Sequence, residues 1–302
     1  MLRPVAIRGI SGKRAGHSGG AVSLLPTARA TKAKSRLMRP LRRSAKAVAV
    51  AVPLIYFFPK LSLFYALCGI YDATRNKPVN RELIDKYFLG NGVFTWIMAP
   101  FNIFLDILCV PYGNKGVYNL EDLPKPYQQE LQRVLDTAVS SDLVGLLQEK
   151  VGDEPRAMFF FKWYGKNVET DLRIPAFHDD YKYVKTIGVS VFSKRESTSR
   201  HFGYTRASLR VLYNINDIDN RRAHIVVGPV DHYWCEKKLF IFDDTLLHQS
   251  FNESDEWRYC MFIDIVRPSS MPTVMYFLMR CIRSLSGRFN SIFYQRWKLI
   301  RP

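Results

Sequence analysis

The strongest constraint on the fold is a series of short apolar runs between residues 157 and 266, each rich in β-branched and aromatic residues and bounded by polar turns. Runs of this length and composition are typical of strands, and several in succession favour a β-sandwich or a barrel. Six segments show the pattern: AMFFFKWYG (157–165), VKTIGVSVF (184–192), ASLRVLYNI (207–215), AHIVVG (223–228), KLFIFDD (238–244) and RYCMFIDIV (258–266).

The N-terminal part of the chain has a different pattern. Residues 47–71 contain one charged side chain, Lys60, and this run is long enough to cross a hydrocarbon core of about 30 Å as a helix. Pro53 and Pro59 predict a kink or a break in that helix. A buried core helix is the alternative, but the preceding Lys and Arg residues favour a membrane segment.

A second apolar stretch follows at residues 93–111, where a proline, Asn102 and Asp106 interrupt it. It is compatible with a second span, a re-entrant hairpin or an interfacial helix. We therefore expect residues 47–112 to form a membrane-associated helical anchor. One span would put the rest of the chain outside the cytoplasm, whereas two spans or none would keep it there.

The first 46 residues hold twelve Lys and Arg and no Asp or Glu, within a chain of formal net charge +17. We expect residues 1–46 to be a disordered basic tail. An organellar presequence, or translated sequence upstream of a true start at Met38, remains an alternative for its first part. No nucleic-acid module is recognisable and the tail leads straight into an apolar run, so we expect no nucleic-acid partner.

The remaining segments complete the predicted organisation. Residues 113–156 read as a helical linker region, residues 157–268 as the β domain, and residues 269–302 as a basic amphipathic C-terminal helix that suits an anionic bilayer surface or a core. The five cysteines are odd in number and form no CxxC pair, which favours buried thiols in a reducing compartment.

Six histidines occur, so each can be weighed as a metal ligand. His17 lies in the basic tail, and His224 and His232 flank one short strand without obvious partners, so we expect no function for them. His178 and Asp180 have the spacing of two members of a 2-His-1-carboxylate iron triad, but their polar surroundings favour a solvated loop.

His201 and His248 form the better pair, because each lies at the edge of a predicted strand, where a barrel mouth can present side chains to a metal. Arg258 follows His248 by ten residues and begins the next strand. An arginine there could bind a carboxylate through a two-pronged ion pair.

At this point three segments resemble the aspartyl/asparaginyl β-hydroxylase family of Fe(II)- and 2-oxoglutarate-dependent dioxygenases, and within it the bacterial membrane-bound lipid A 2-hydroxylase branch. FFFKWYG resembles the entry segment of that branch, and RHFGYTRASLR the loop in which a metal histidine precedes a Leu-Arg pair. FDDTLLHQSFN, followed by Arg258 and DIVRP, resembles the distal histidine and its sequel.

The resemblance implies a mainly β, double-stranded β-helix (jelly-roll, cupin-like) catalytic domain with flanking helices, which uses Fe(II), 2-oxoglutarate and O2. It implies that His201 and His248 bind iron and that Arg258 binds the 2-oxoglutarate carboxylate. Ser190 matches a position that assists at the cosubstrate, and Arg210 matches the arginine of the Leu-Arg pair. The implied activity is hydroxylation of a membrane-lipid acyl chain, with succinate and CO2 as co-products.

Two positions depart from the family pattern. Leu212 stands where the family usually has a histidine near the cosubstrate, and Gly203 stands where the lipid branch tends to have an aspartate. Two other functions therefore stay open: hydroxylation of Asp or Asn side chains in a protein, and noncatalytic binding by a membrane-anchored jelly roll. The resemblance also predicts a bacterial inner-membrane location with the catalytic domain facing the cytoplasm.

Overall fold

The structure is a computed structural model, and it describes residues 45, 48–49, 51–91, 93–286 and 297–299. The described residues from 51 onward belong to one compact unit. The predicted basic tail lies almost entirely outside the described residues, as does the end of the predicted C-terminal helix.

The N-terminal part of the compact unit is helical. After a helical stretch at residues 51–57, the helices are α1 (Pro59–Thr74), α2 (Arg81–Asp85), α3 (Val93–Ile97) and α4 (Ala99–Leu108), with a π-helical turn at Lys86–Gly90 between α2 and α3.

The long apolar run at residues 47–71 is not one helix. Phe58 leaves the helical conformation, with φ −132° and ψ 59°, and Pro59 opens α1 at a position where its missing N–H costs nothing. In the described part of the chain, no helix combines the length and the apolar character that a membrane crossing requires. The break that the sequence predicts at Pro59 is confirmed.

The rest of the described chain contains twelve strands and three further α-helices, joined by turns and short 3₁₀ helices. The strands are β1 (Val117–Tyr118), β2 (Arg156–Trp163), β3 (Lys166–Asn167), β4 (Val184–Phe192), β5 (Glu196–Ser197), β6 (Ser208–Asn214), β7 (Ala223–Val227), β8 (Val230–Tyr233), β9 (Leu239–Phe242), β10 (His248–Asn252), β11 (Arg258–Val266) and β12 (Lys298–Leu299). The helices are α5 (Lys125–Ser140), α6 (Leu143–Val151) and α7 (Pro272–Ser286).

These strands form two sheets. The large sheet has the order β1-β9-β6-β11-β4-β2-β12, with β3 paired to β2, and the small sheet has the order β5-β10-β7-β8. All pairings are antiparallel except that of β12 with β2. With its helices the chain is mixed α/β with antiparallel sheets, which corrects the prediction of a mainly β fold.

Alternation along the strands gives the large sheet two buried faces. Val211, Met261 and Ile263 point into a core shared with α5 and α6. The residues next to them in the strands point the other way, into a second core. This core contains Leu212 and Cys260 together with residues of β7 in the small sheet. This second core lies between the two sheets and adjoins the candidate site.

Candidate metal and cosubstrate site

His201 and His248 lie side by side. Their backbones form an isolated antiparallel bridge, in which each amide donates to the carbonyl of the other residue at 3.0 and 2.9 Å. The imidazole ring centroids are 4.3 Å apart. The fold thus brings together two histidines that are 47 positions apart in the sequence.

Both imidazoles are held in the same tautomer. The Nδ1 atom of His201 lies 2.7 Å from the carbonyl oxygen of Ser199, and that of His248 lies 2.8 Å from the carbonyl oxygen of Leu246. Because a carbonyl only accepts, each Nδ1 carries the proton and each Nε2 keeps a lone pair. Metal-binding histidines are commonly oriented in this way.

Burial keeps the pair neutral. Desolvation lowers the pKa of His201, and it lowers the pKa of His248 well below the ordinary value, with His201 adding to the effect. Neutral imidazole is the form that binds a metal ion. The two side chains are therefore ready to bind a metal at neutral pH without first losing a proton.

The loop before His248 is fixed by the N-terminal helices. Beyond the end of α1, Asn76 accepts a hydrogen bond from the backbone amide of Leu247 at 2.7 Å, and Arg75 pairs with Asp243 at 3.0 Å. The histidine is thus delivered by a loop whose conformation depends on residues far away in sequence.

A cluster of buried charges continues this contact, and we call it the arginine–aspartate cluster. Arg206 forms ion pairs with Asp72 in α1 and with Asp106 in α4, the latter at 2.7 Å. Arg267 also lies near Asp106 and Asp243, at 3.3 and 3.7 Å. Asp72 and Asp106, which both lie in the predicted anchor at residues 47–112, are therefore partners of arginines in the β region.

Arg258, by contrast, is buried without a carboxylate. Its side chain is 1% exposed, and one terminal nitrogen donates to the hydroxyl of Ser250 at 2.8 Å. Among the described residues it forms no salt bridge, and its Nε has no hydrogen-bond partner. Burial lowers its pKa to about 10, so it stays charged at neutral pH. A buried cation is costly unless an anion neutralises it.

Strand alternation relates Arg258 to the histidines. His248 and Ser250 are two positions apart in β10 and face the same side, about 7 Å apart along the strand. Ser250 holds the Arg258 guanidinium, so this cation and His248 face the same space between the sheets.

Ser190 lies close to this arginine. It faces the same side of β4 as Phe192, whose ring centroid is 4.1 Å from the Arg258 guanidinium carbon. Its hydroxyl donates to the carbonyl of Cys260 at 3.2 Å. Ser190 is thus in the wall of the site, with its proton directed at the backbone.

Arg210 is fully engaged with acidic side chains. It donates to Asp264 at 2.7 Å and to Asp244 at 3.1 Å, and it lies over the ring of Phe262 at 3.7 Å. Its partners neutralise it, so Arg210 differs from Arg258 in having no unmet need for an anion.

Asp244 explains the glycine at position 203. A Cβ on Gly203 would lie 2.4 Å from a carboxylate oxygen of Asp244, too close for any side chain unless that carboxylate moves. The Asp244 carboxylate therefore occupies the space of the side chain at position 203. Burial raises the pKa of Asp244 to about 7, with Arg210 opposing the shift.

The other sequence candidates do not join this site. His178 ends a short 3₁₀ helix, and it packs near Phe161, on the α5 side of the large sheet. Asp179 pairs with Arg133 in α5. Within the described ranges no three His, Cys, Asp or Glu side chains are grouped to hold a metal, so the HDD segment forms no triad.

Two site residues escaped the sequence analysis. Asp244 sits four positions before His248, and Trp234 has its indole 5.5 Å from the Arg258 guanidinium carbon. The signal for Asp244 was its pairing with Arg210, which only the fold reveals. Trp234 could have been suspected from alternation in the segment VDHYW, in which every second residue shares a face.

The fold and the site define a class, namely a two-sheet antiparallel protein that presents two neutral histidines and one buried arginine to a shared space. Residues 129–268 match the family model described as aspartyl/asparaginyl beta-hydroxylase. This match confirms the resemblance over these residues, and with it the expectation of an enzyme of the Fe(II)- and 2-oxoglutarate-dependent hydroxylase type.

One curated relative is an ornithine lipid ester-linked acyl 2-hydroxylase from Rhizobium tropici. It is 24% identical over 216 residues, which cover 65% of this chain and 74% of the relative. This relative has a lipid acyl chain as its substrate by name.

Two solved structures show weak similarity. An oxidoreductase of the 2OG-Fe(II) oxygenase family from Burkholderia pseudomallei is 12% identical with a TM-score of 0.28, and the match covers 44% of this chain and 81% of that one. A Cupin 2 conserved barrel domain protein from Salinispora arenicola CNS-205 is 11% identical with a TM-score of 0.25, over 36% of this chain and 81% of that one. These scores are too low to support a conclusion about this chain.

Proposed function

We propose that the protein is an Fe(II)/2-oxoglutarate-dependent dioxygenase that hydroxylates an acyl chain of a membrane lipid, of the lipid A or aminolipid type, on a double-stranded β-helix domain. The observation that carries the proposal is Arg258, a buried and charged guanidinium without a carboxylate partner in the described chain, facing the same space as His248. Succinate and CO2 are the co-products.

The residues present fit the implied iron and cosubstrate. The Nε2 atoms of His201 and His248 have free lone pairs, and Arg258 offers an unused donor to an anion. When bound, Fe(II) and 2-oxoglutarate supply the oxidising chemistry with O2. The chain itself positions these groups and excludes water, because the sheets bury both His248 and Arg258.

The spacing also suits a dicarboxylate. A 2-oxo acid that would bind the metal at its 2-oxo end needs a cation for its other carboxylate a few ångströms away. His248 and Ser250 are about 7 Å apart along β10, and Arg258, which is bound to Ser250, is a cation at that distance. A monocarboxylic 2-oxo acid would leave the arginine unpaired.

Exposed apolar side chains favour a lipid substrate. α1 and the helical stretch before it expose large side chains that include Phe57 at 69%, Leu63 at 61% and Leu67 at 58%. Beyond the end of α1, Asn76 hydrogen-bonds the loop that carries His248. A bilayer in contact with these side chains would therefore hold its lipids close to the site.

The same surface supports the proposed location at a bacterial inner membrane, with the catalytic domain facing the cytoplasm. Interfacial binding by α1 would fit both the exposed apolar side chains and the basic N-terminal residues. The test is flotation of the full-length protein with anionic vesicles. Replacement of Phe57 and Leu63 by serine should reduce flotation, and equal flotation would contradict the location.

The activity is tested with detergent-solubilised protein, Fe(II), ascorbate, 2-oxoglutarate and a lipid extract. We expect succinate release that depends on the extract, together with a gain of one oxygen in one lipid class by mass spectrometry. Lipidomes that are identical with and without the gene would contradict the proposed substrate.

Hydroxylation of an Asp or Asn side chain in a protein is the second candidate, because the matching family model carries that description. The same assay distinguishes the two when a digest of soluble proteins replaces the lipid extract. Succinate release with peptides and none with lipids would favour this alternative.

A further inference from the structure

The small sheet contributes a second set of polar groups to the space around Arg258. In β8, His232 pairs with Ile225 of β7, which in turn pairs with Ser250 of β10. Since residues paired across a sheet share a face, His232 faces the same side as Ser250, the residue that holds Arg258. Trp234 follows two positions later and has the same orientation.

Trp234 is the more deeply buried of the two residues. It is 2% exposed, and its backbone amide donates to the carbonyl of Ala223 at 3.3 Å, which continues the pairing of β8 with β7. The Arg258 guanidinium carbon is 5.5 Å from the centre of the indole. The small Ala223 side chain leaves room for the indole at this end of the sheet.

Two buried donors in this region have no hydrogen-bond partner within the described chain: the indole Nε1 of Trp234 and the Nε of Arg258. Buried donors are almost always paired, because an unpaired one costs about 1–3 kcal/mol. Two unpaired donors in one region, one of them cationic, indicate an anion that is bound in the functional state.

The opposite wall is mainly apolar. Leu212 of β6 lies opposite Phe240 of β9, and the Phe240 ring is stacked on His232 at 4.3 Å. The imidazole of His232 also meets the edge of Trp234 at 4.7 Å. β6 places Asn214 on this face as well, but its amide nitrogen already donates to the carbonyl of Asn216 at 2.6 Å.

We propose that Trp234 donates its indole N–H to the same carboxylate of the 2-oxo acid cosubstrate that Arg258 binds, and that the His232 ring positions the indole. The inference rests on the proposed function, since it names further residues that hold the cosubstrate. Trp234 is a binding residue, and His232 supports it through the contact between their rings.

The test is a pair of tryptophan substitutions. Trp234→Phe removes the N–H donor and keeps an aromatic ring, whereas Trp257→Phe makes the same change in a ring that packs on the α5 side of the large sheet. Each variant, loaded with Fe(II) under nitrogen, is titrated with 2-oxoglutarate and with 2-oxovalerate. The latter has the same carbon chain without the distal carboxylate.

We expect Trp234→Phe to raise the Kd for 2-oxoglutarate about tenfold, as for the loss of one hydrogen bond to a charged group. The Kd for 2-oxovalerate and for Fe(II) should not change, and Trp257→Phe should match the wild type throughout. The inference is overturned if Trp234→Phe leaves the Kd for 2-oxoglutarate unchanged, or if it lowers the affinity for both oxo acids equally. A wild-type protein that binds no 2-oxoglutarate overturns the proposed function as well, so the two failures are distinguishable.

His232→Ala tests the second residue. It removes the ring that meets the edge of Trp234, so we expect a smaller rise in the Kd for 2-oxoglutarate, of about threefold, whereas His232→Phe keeps a ring there and should bind 2-oxoglutarate as the wild type does. An unchanged Kd in His232→Ala, beside a raised one in Trp234→Phe, overturns the positioning role of His232 and leaves Trp234 in place.

Discussion

Arg206 and Arg258 are equally buried, each 1% exposed, yet their surroundings differ. Arg206 is surrounded by Asp72, Asp106 and Asp243, which neutralise it and bind the N-terminal helices to the β region. Among the described residues, the Arg258 guanidinium contacts the hydroxyl of Ser250, a backbone carbonyl and two aromatic rings, and no carboxylate. The difference teaches that a buried arginine with its own carboxylates is structural, whereas one without them indicates a ligand.

The largest expected effect concerns the proposed iron site near Arg258. His248→Ala should raise the Kd for Fe(II) by about 100-fold or more, because one of two imidazole ligands is lost. His178→Ala is the matched control and should bind Fe(II) as the wild type does. Isothermal titration under nitrogen measures both variants, and a loss confined to the His178 variant would move the site to the HDD segment.

Removal of Arg206 should be the most destabilising change. Arg206→Met leaves Asp72 and Asp106 without their nearest cation, which should cost about 3–5 kcal/mol of unfolding free energy. Arg258→Met removes a buried charge that has no partner, so the metal-free variant should be at least as stable as the wild type. Urea unfolding measures the stability of both variants. Equal losses of unfolding free energy would contradict the difference between the two arginines.

A smaller effect is expected at Arg210, which resembles Arg206 in being neutralised. Gly203→Ala places a Cβ against the Asp244 carboxylate and should displace it from Arg210, at a cost of about 1–3 kcal/mol. The double variant Gly203→Ala with Asp244→Ala should lose less than the sum of the single changes. Additive losses would show that the two positions do not compete for space.

The smallest expected effect is a pH dependence. Because burial raises the pKa of Asp244 to about 7, the folded metal-free protein binds an extra proton relative to the unfolded chain, whose aspartates titrate near about 3.9. The contribution of this group to stability is therefore lost as pH rises across that window. As the pH rises from 5 to 8, Asp244→Asn should become more stable relative to the wild type. Melting temperatures of both proteins measure this, and a difference that stays constant with pH would contradict the raised pKa of Asp244.

Local patterns predicted the long strands well. The runs at residues 184–192 and 258–266 coincide with β4 and β11, because β-branched and aromatic residues in an uninterrupted run have few other stable arrangements. β8 was missed, because two of its four residues are the adjacent polar Asp231 and His232, so the segment shows no apolar run. The residues His201, His248 and Arg258 remain predictions as iron and cosubstrate ligands, although the fold brings them to one space.

The N-terminal segment could not be predicted in the same way. Asp106 interrupts one apolar stretch and Asp72 follows the end of another, while their partner Arg206 is 100 and 134 positions away along the chain. Ion pairs at such distances leave no local pattern. The same is true of Asp244, whose proximity to Gly203 depends on the backbone hydrogen bond of 2.7 Å between these two residues.

The most direct test of the central claim is a titration of the Fe(II)-loaded protein with 2-oxoglutarate under nitrogen, followed by its metal-to-ligand charge-transfer absorption. The account predicts that the wild type saturates, and that Arg258→Met binds Fe(II) equally well but needs about 100-fold more 2-oxoglutarate. Equal 2-oxoglutarate affinities in the two proteins, or no absorption band in the wild type, would contradict it.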